Sequence, residues 1–209
     1  MARLAVADGI EEIIATPHLY LEQADFDLAT AVETMNLTLR EHNIPLIVHP
    51  GFECHYTSAL LLQGEGVLAG GRYSLVEFPT TITTIACFDV IYELLSAGVI
   101  PVIAHPERNL FFQHHPQALF ELLDDGALVQ ITAGSLSGTF GGDSEAFAVY
   151  LLKRRRVAFI ASDAHSARER TPQLTAAVRA AARIIGMGDA CRLVVDNPRA
   201  LLEGRELGR

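Results

Sequence analysis

At 209 residues, half of them hydrophobic, the chain is sized for one domain with a sizeable buried core. A formal net charge of −9 excludes a surface built to neutralise a nucleic-acid backbone. No apolar run approaches the ~18 residues needed to cross a bilayer, and the longest, residues 82–95, is interrupted by Asp89 and Glu93, so no membrane-embedded segment is expected.

The predicted elements alternate along the chain. Residues 1–8 (MARLAVAD) read as a short helix closing at Gly9, an unusual start for a chain that then alternates strands with helices. A strand follows over 13–16. Helical spacing of Leu28, Ala31, Val32, Met35 and Leu39 predicts a helix over 25–42, with Asp25 or Asp27 able to cap it. Asn43, Ile44 and Pro45 break the pattern before a strand at 46–48. Residues 57–71 hold a short Leu-rich helix and a glycine turn, ahead of a strand at 74–78.

A helix over 81–97 ends at Gly98, with a strand at 100–104 behind it. A helix over 116–125 ends at Gly126 and leads into a strand at 127–132. Residues 138–143 form a glycine-rich loop. A helix over 144–155 feeds a strand that starts at Val157. Helices over 172–185 and 198–203 close the chain, the second started by Asn197, with Asp196 also assigned to its cap and Pro198 in its first turn. Such alternation with short connections implies a mostly parallel arrangement, a barrel or a doubly wound sheet. Neither GxGxxG nor GxxxxGK is present, so nothing suggests a nucleotide-binding sheet.

Five of the strand-like runs place a His, Asp or Glu at or just past their C-terminal end. Residues 13–18 (IIATPH) end in His18, 46–53 (LIVHPGFE) in Glu53, and 73–78 (YSLVEF) carry Glu77. Residues 100–105 (IPVIAH) end in His105 and continue as Pro106, Glu107 and Arg108. Residues 157–166 (VAFIASDAHS) carry Asp163 and His165, which project together if the chain stays extended through them. In barrels of alternating strands and helices those ends meet on one face. Six such side chains would form an oxygen- and nitrogen-rich site suited to Mn, Fe or Zn and poor for soft thiolate metals. The plainer reading, satisfied polar residues at strand ends, is weakened by their recurrence on five runs.

The remaining polar residues have local explanations. His42 falls in a helix's last turn, where a cation suits the dipole, and His49, His55, His114 and His115 lie in or near loops. Glu107 is expected to pair with a neighbouring Arg, and residues 153–156 to be a solvated helix end. Cys54, Cys87 and Cys191 show no CxxC spacing and no signal peptide precedes them, which points to reduced thiols in a cytoplasmic protein. No cysteine sits in a CxxxxxR phosphate loop.

In order and spacing, the segments ADGIEEIIATPH, GFE, LVEFP, GVIPVIAHPERN, ASDAHS and VVDNPRALL resemble the PHP-superfamily tyrosine-protein phosphatases of the CpsB/CapC (YwqE-like) capsule and exopolysaccharide systems. The resemblance spans essentially the whole chain and implies a distorted (β/α)7 PHP-type barrel. It also implies a manganese-dependent site of up to three ions, with iron or zinc as alternatives. Glu53 matches the carboxylate bridging the first two metals and Asp163 a second ligand of the first. Glu77 and His105 would complete the second, and His18 with His165 would serve the third. Arg108 and Arg170 match positions expected to hold the phosphate. The family's first strand, with a His-x-His pair and a following Asp, has no counterpart here, so the implied barrel lacks that strand and three of its ligands.

The activity implied is hydrolysis of phosphotyrosine on a bacterial tyrosine kinase that controls polysaccharide export. Two alternatives stand beside it: a phosphatase for small esters such as histidinol phosphate, and a degenerate barrel acting as a non-catalytic binding or regulatory subunit. A barrel without its first strand leaves strand edges and core uncovered, and is expected to form a homo-oligomer or to behave poorly alone.

Overall fold

The computed structural model describes residues 1–19, 27–59, 67–81 and 85–207. Its strands are β1 (Glu12–Ala15), β2 (His18–Leu19), β3 (Ile47–Pro50), β4 (Glu53–His55), β5 (Tyr73–Glu77), β6 (Ile100–Ala104), β7 (Leu128–Thr132) and β8 (Phe159–Ala161). The helices are α1 (Ala2–Ala7), α2 (Leu28–Glu41), α3 (Tyr56–Ala59), α4 (Ile85–Ser96), α5 (Leu110–His114), α6 (Pro116–Asp124), α7 (Gly142–Lys153), α8 (Thr175–Ile185), α9 (Met187–Arg192) and α10 (Asp196–Leu202). The strands form a six-stranded sheet in the order β2-β4-β5-β6-β7-β8 and a two-stranded sheet of β1 and β3, and every strand pair is parallel. Among the described residues no helix is long and apolar enough to cross a membrane.

Strands buried on both faces read as near-continuous apolar runs, which is why 73–78 and 100–104 were legible. Val76, Ile103, Val129, Ile131 and Ile160 join the main core with helix residues such as Ile91, Leu119 and Leu151. Their neighbours Leu75, Val102 and Phe159 belong to a second cluster on the opposite face, with Tyr73 and Leu201.

The strands expected over 13–16 and 46–48 are present as β1 and β3, but each run continues past a bend into a second strand. The run 13–18 divides into β1 and β2 around Thr16 and Pro17, and 46–53 divides into β3 and β4 around Gly51 and Phe52. The halves join different sheets, with Ala15 opposite Pro50 in one and His18 opposite Glu53 in the other. Gly51 is needed at the bend, because a Cβ there would lie 2.7 Å from Ile14 Cγ2 and 2.9 Å from Leu68 Cδ2. Asn36 of α2 then covers the backbone of β3: its Nδ2 donates to Val48 O (2.8 Å) while Val48 N–H donates to its Oδ1 (2.9 Å).

The expected barrel is not closed among the described residues, although the α/β class and parallel sheets are as expected. β8 pairs only with β7 and β1 only with β3, so neither sheet bridges to the other there. Between them opens a cavity of about 700 Å³, lined by Ile13 and Ile14 on one side and Phe159 and Ile160 on the other.

Smaller differences follow from contacts distant in sequence. β8 stops at Ala161, and Asp163 adopts a left-handed conformation (φ 49°), so the chain is not extended through His165. Asn197 does not cap the last helix; its Nδ2 donates to Ala158 O at 2.7 Å. α7 starts at Gly142, and α5 and α9 are further helices that the periodicity did not resolve. His49 lies within β3, with Nε2 2.6 Å from Glu12 Oε2. Asp27 caps α2 by accepting from Thr30 N–H at 3.0 Å, whereas Asp25 lies outside the described residues, as do parts of the helices expected over 57–71 and 81–97.

Asp8, at the end of α1, ties that helix to the start of α8. Its Oδ2 accepts from Leu174 N–H (2.6 Å) and Thr175 N–H (3.0 Å), filling orphan donors at the start of α8. Burial works against its charge, but those two donors outweigh it and hold its pKa below the ordinary carboxylate value. A lowered folded pKa contributes stability above the unfolded value, and that contribution is lost as pH falls through the folded one. Asp8→Ala is therefore expected to cost about 0.5–2 kcal/mol at pH 7 in urea denaturation. The gap between variant and wild type should narrow as pH is lowered below about 4.

Candidate metal centre

Parallel pairing brings the first residues of β2 and β4 beside the C-terminal ends of β5 and β6 at one mouth of the sheet. His18 is the register partner of Glu53, and Glu77 that of His55. His105 follows β6 directly, with φ 33° and ψ 52°. A left-handed conformation at a non-glycine residue costs energy, and such residues gather at functional sites. Here both His105 and Asp163 adopt one, each just past a strand end, and both turn their side chains toward the site.

Four of the six predicted ligands converge. His18 Nδ1 lies 3.2 Å from Glu53 Oε2 and 3.5 Å from Glu77 Oε2. His105 Nε2 lies 3.1 Å from Glu53 Oε1 and 3.5 Å from Glu77 Oε1. One donor atom each from His18, Glu53 and Glu77 falls within 4.8 Å of the others. Two imidazoles and two carboxylates at these separations fit a divalent cation of the Mn, Fe or Zn type.

Glu53 and His105 are 6 % and 4 % exposed, so their charges are almost entirely out of water. Burial opposes ionisation of Glu53, yet the hydrogen bond and positive charge of His105 hold its carboxyl below the usual range. For His105, burial opposes the imidazolium, and Glu53 outweighs it and raises the pKa. The two behave as a buried ion pair.

Asp163 and His165 line the same cavity mouth but form a second group with the two predicted arginines. Asp163 Oδ2 accepts from Arg108 Nη1 (3.1 Å), from Thr132 Oγ1 (3.4 Å) and from Arg170. Arg170 Nη1 donates to His165 Nε2 at 3.2 Å, and His165 Nδ1 donates to Asp163 O at 3.0 Å. His18, expected to share an ion with His165, lies beside Glu53 and Glu77.

Glu107 was assigned to an arginine partner, and the structure corrects this. It is fully buried, and its Oε1 accepts from Thr132 N–H (2.9 Å) and Ser135 Oγ (2.7 Å). Burial pushes its pKa up against the pull of those donors, and Oε2 has no hydrogen-bond partner. Glu107 thus pins the turn carrying His105 and Arg108 to the end of β7. Spacing along the chain carries no signal for a partner 25 residues away. Phe140, whose ring lies 4.3 Å from the Arg108 guanidinium and 5.6 Å from that of Arg170, was also missed, because a single aromatic in a glycine-rich loop has no periodicity.

The model of the capsular polysaccharide synthesis family CpsB/CapC matches residues 1–203. The chain belongs to the CpsB/CapC family. Tyrosine-protein phosphatase YwqE of Bacillus subtilis (strain 168) is 38 % identical over 178 residues, covering 81 % of this chain and 70 % of YwqE. The putative tyrosine-protein phosphatase CapC of Staphylococcus aureus is 33 % identical over 176 residues, covering 79 % of this chain and 68 % of its own. A solved structure from work on YwqE and on CpsB of Streptococcus pneumoniae, described as unique metal-dependent tyrosine phosphatases, superposes with a TM-score of 0.91 at 35 % identity. It covers all of this chain, and this chain covers 87 % of it. The parallel α/β architecture of this CpsB/CapC chain is therefore shared with that structure along its whole length.

Glu53 touches both histidines, so its carboxylate is the natural centre of any cation site here. The isosteric Glu53→Gln change is expected to weaken manganese binding by more than about tenfold in calorimetric titration. A circular dichroism spectrum like that of wild type would show that the fold survives.

Proposed function

We propose that the chain is a metal-dependent protein tyrosine phosphatase of PHP type, acting on phosphotyrosine of a bacterial tyrosine kinase in capsular or exopolysaccharide biosynthesis. The observation that carries this reading is the convergence of His18, Glu53, Glu77 and His105 at one mouth, with Arg108 and Arg170 beside them. The names of its relatives supply the reaction and the substrate class. The fold in this reading is a PHP-type barrel left open between β8 and β1, where a preceding strand would fit.

His18, Glu53, Glu77 and His105 would hold one divalent ion, with Asp163 and His165 as ligands next to it, and manganese is the ion we assign. Bound divalent cations lower the pKa of water from near 16 to roughly 7 and neutralise phosphoryl oxygens. The chain's own residues do the rest. Arg108 and Arg170 present planar guanidinium groups that suit the charge and geometry of a phosphoryl group. Asp163 holds both arginines at the mouth and keeps their charge local.

Cysteine chemistry does not compete with this route. Burial pushes the Cys54 thiol up to about 11, so it is protonated at neutral pH and a poor nucleophile. Cys87 is buried too.

Phosphatase activity on a phosphotyrosine peptide should be abolished by chelator, restored by manganese and unaffected by iodoacetamide. Faster turnover of histidinol phosphate than of the peptide would replace the protein substrate with a small ester. Placing a His-x-His strand ahead of α1 is expected to raise bound manganese to about two to three equivalents. If that extended protein hydrolyses no phosphomonoester, the enzyme reading is overturned in favour of a non-catalytic subunit.

A further inference from the structure

Two guanidinium groups from distant segments lie side by side at the mouth of the site, and like charges so placed repel. Arg108 arrives on the turn after β6 and Arg170 on the loop between β8 and α8. Asp163 contacts both, but it is a single carboxylate between two cations. The second common neighbour is Phe140, with the Arg108 Cζ 4.3 Å and the Arg170 Cζ 5.6 Å from its ring centroid. A ring face attracts a cation and favours parallel stacking of a planar guanidinium, worth ~0.5–1 kcal/mol when exposed and ~2 or more when desolvated.

The backbone is arranged to hold that ring still. Phe140 lies between Gly138 (φ 74°) and Gly141 (φ 91°), both in conformations that favour glycine. Gly141 N–H donates to Gly138 O (3.0 Å) and Thr139 N–H to Gly134 O (3.1 Å), closing the loop on itself. Gly134 underlies the ring: a Cβ there would come within 3.0 Å of Phe140 Cε2. The loop thus presents the half-buried ring at a defined height above the two arginines.

We propose that Phe140 is a positioning residue that holds the Arg108 and Arg170 guanidinium groups in place to receive a phosphoryl group. The inference rests on the reading of these arginines as phosphate-binding. Phe140 acts through them and touches no reacting atom. Its aromatic face supplies orientation without competing, as a carboxylate does, for the positive charge that the substrate needs.

The test titrates inorganic phosphate into the manganese-loaded chain by calorimetry, and follows the arginine side-chain resonances of the metal-free chain by NMR. Phe140→Leu is expected to weaken phosphate binding roughly five- to tenfold, and Phe140→Tyr, which keeps the ring, to stay within about twofold of wild type. In an Arg108→Ala, Arg170→Ala background the Phe140→Leu change should have no further effect on phosphate affinity. Phe140→Leu should also speed rotation of the Arg108 guanidinium about its Nε–Cζ bond, while the thermal midpoint moves by no more than about 2 °C. Wild-type phosphate affinity in Phe140→Leu, or a loss that persists without the arginines, overturns the proposal. A wild-type chain that binds no phosphate overturns the phosphatase reading instead. In that case Arg108 guanidinium rotation no faster in Phe140→Leu than in wild type overturns the positioning role as well, and faster rotation retains it for the guanidinium groups alone.

Discussion

The buried pair of Glu53 and His105 is the interaction around which the rest of the molecule is arranged. A carboxylate taken out of water alone costs several kcal/mol, and the chain offsets this by bringing imidazoles to it from two different strands. β4 and β6 are not neighbours; β5 lies between them, and Glu77 at its end faces both histidines. Because every strand runs the same way, each of these side chains reaches the same mouth. His105 pays for its position with a left-handed backbone, and buried Glu107 secures that turn to the end of β7.

The two sheets explain how the mouth is shaped. The bends at Thr16–Pro17 and Gly51–Phe52 move the chain from the β1–β3 sheet into the edge of the six-stranded one within two residues. His18 and Glu53 are each the first residue after such a bend, which sets them opposite one another. The β1–β3 pair is held from outside by Asn36 and leaves a cavity toward β8. Asp8 ties α1 to the start of α8, and no strand of the described residues joins β1 to β8.

Charge is distributed with equal purpose. The chain carries a net charge of −9, yet its mouth juxtaposes a carboxylate-rich group with a pair of guanidinium groups. The first group suits cations and the second suits an anion. Cation and anion sites thus share one mouth in a chain that resembles proteins described as metal-dependent tyrosine phosphatases.

By itself the sequence determined whatever depends on neighbours along the chain. The apolar runs at 73–78 and 100–104, the glycine stops at Gly9, Gly98 and Gly126, and the acidic or imidazole residue ending each run were all legible, because burial pattern and turn chemistry are local. Recurrence at the ends of runs and the family motifs also singled out the six candidate residues and two arginines that the structure places around one mouth. Only the tertiary structure decided where strands break, which ligands meet and what holds the arginines. The bend at Gly51 exists because Ile14 and Leu68 occupy the space a side chain would need, and the left-handed turn at Asp163 lets it reach Arg108 and Arg170. Glu107, Asn197 and Phe140 have partners 25 to 39 residues away, set by sheet order and helix packing, and no spacing along the chain encodes those distances.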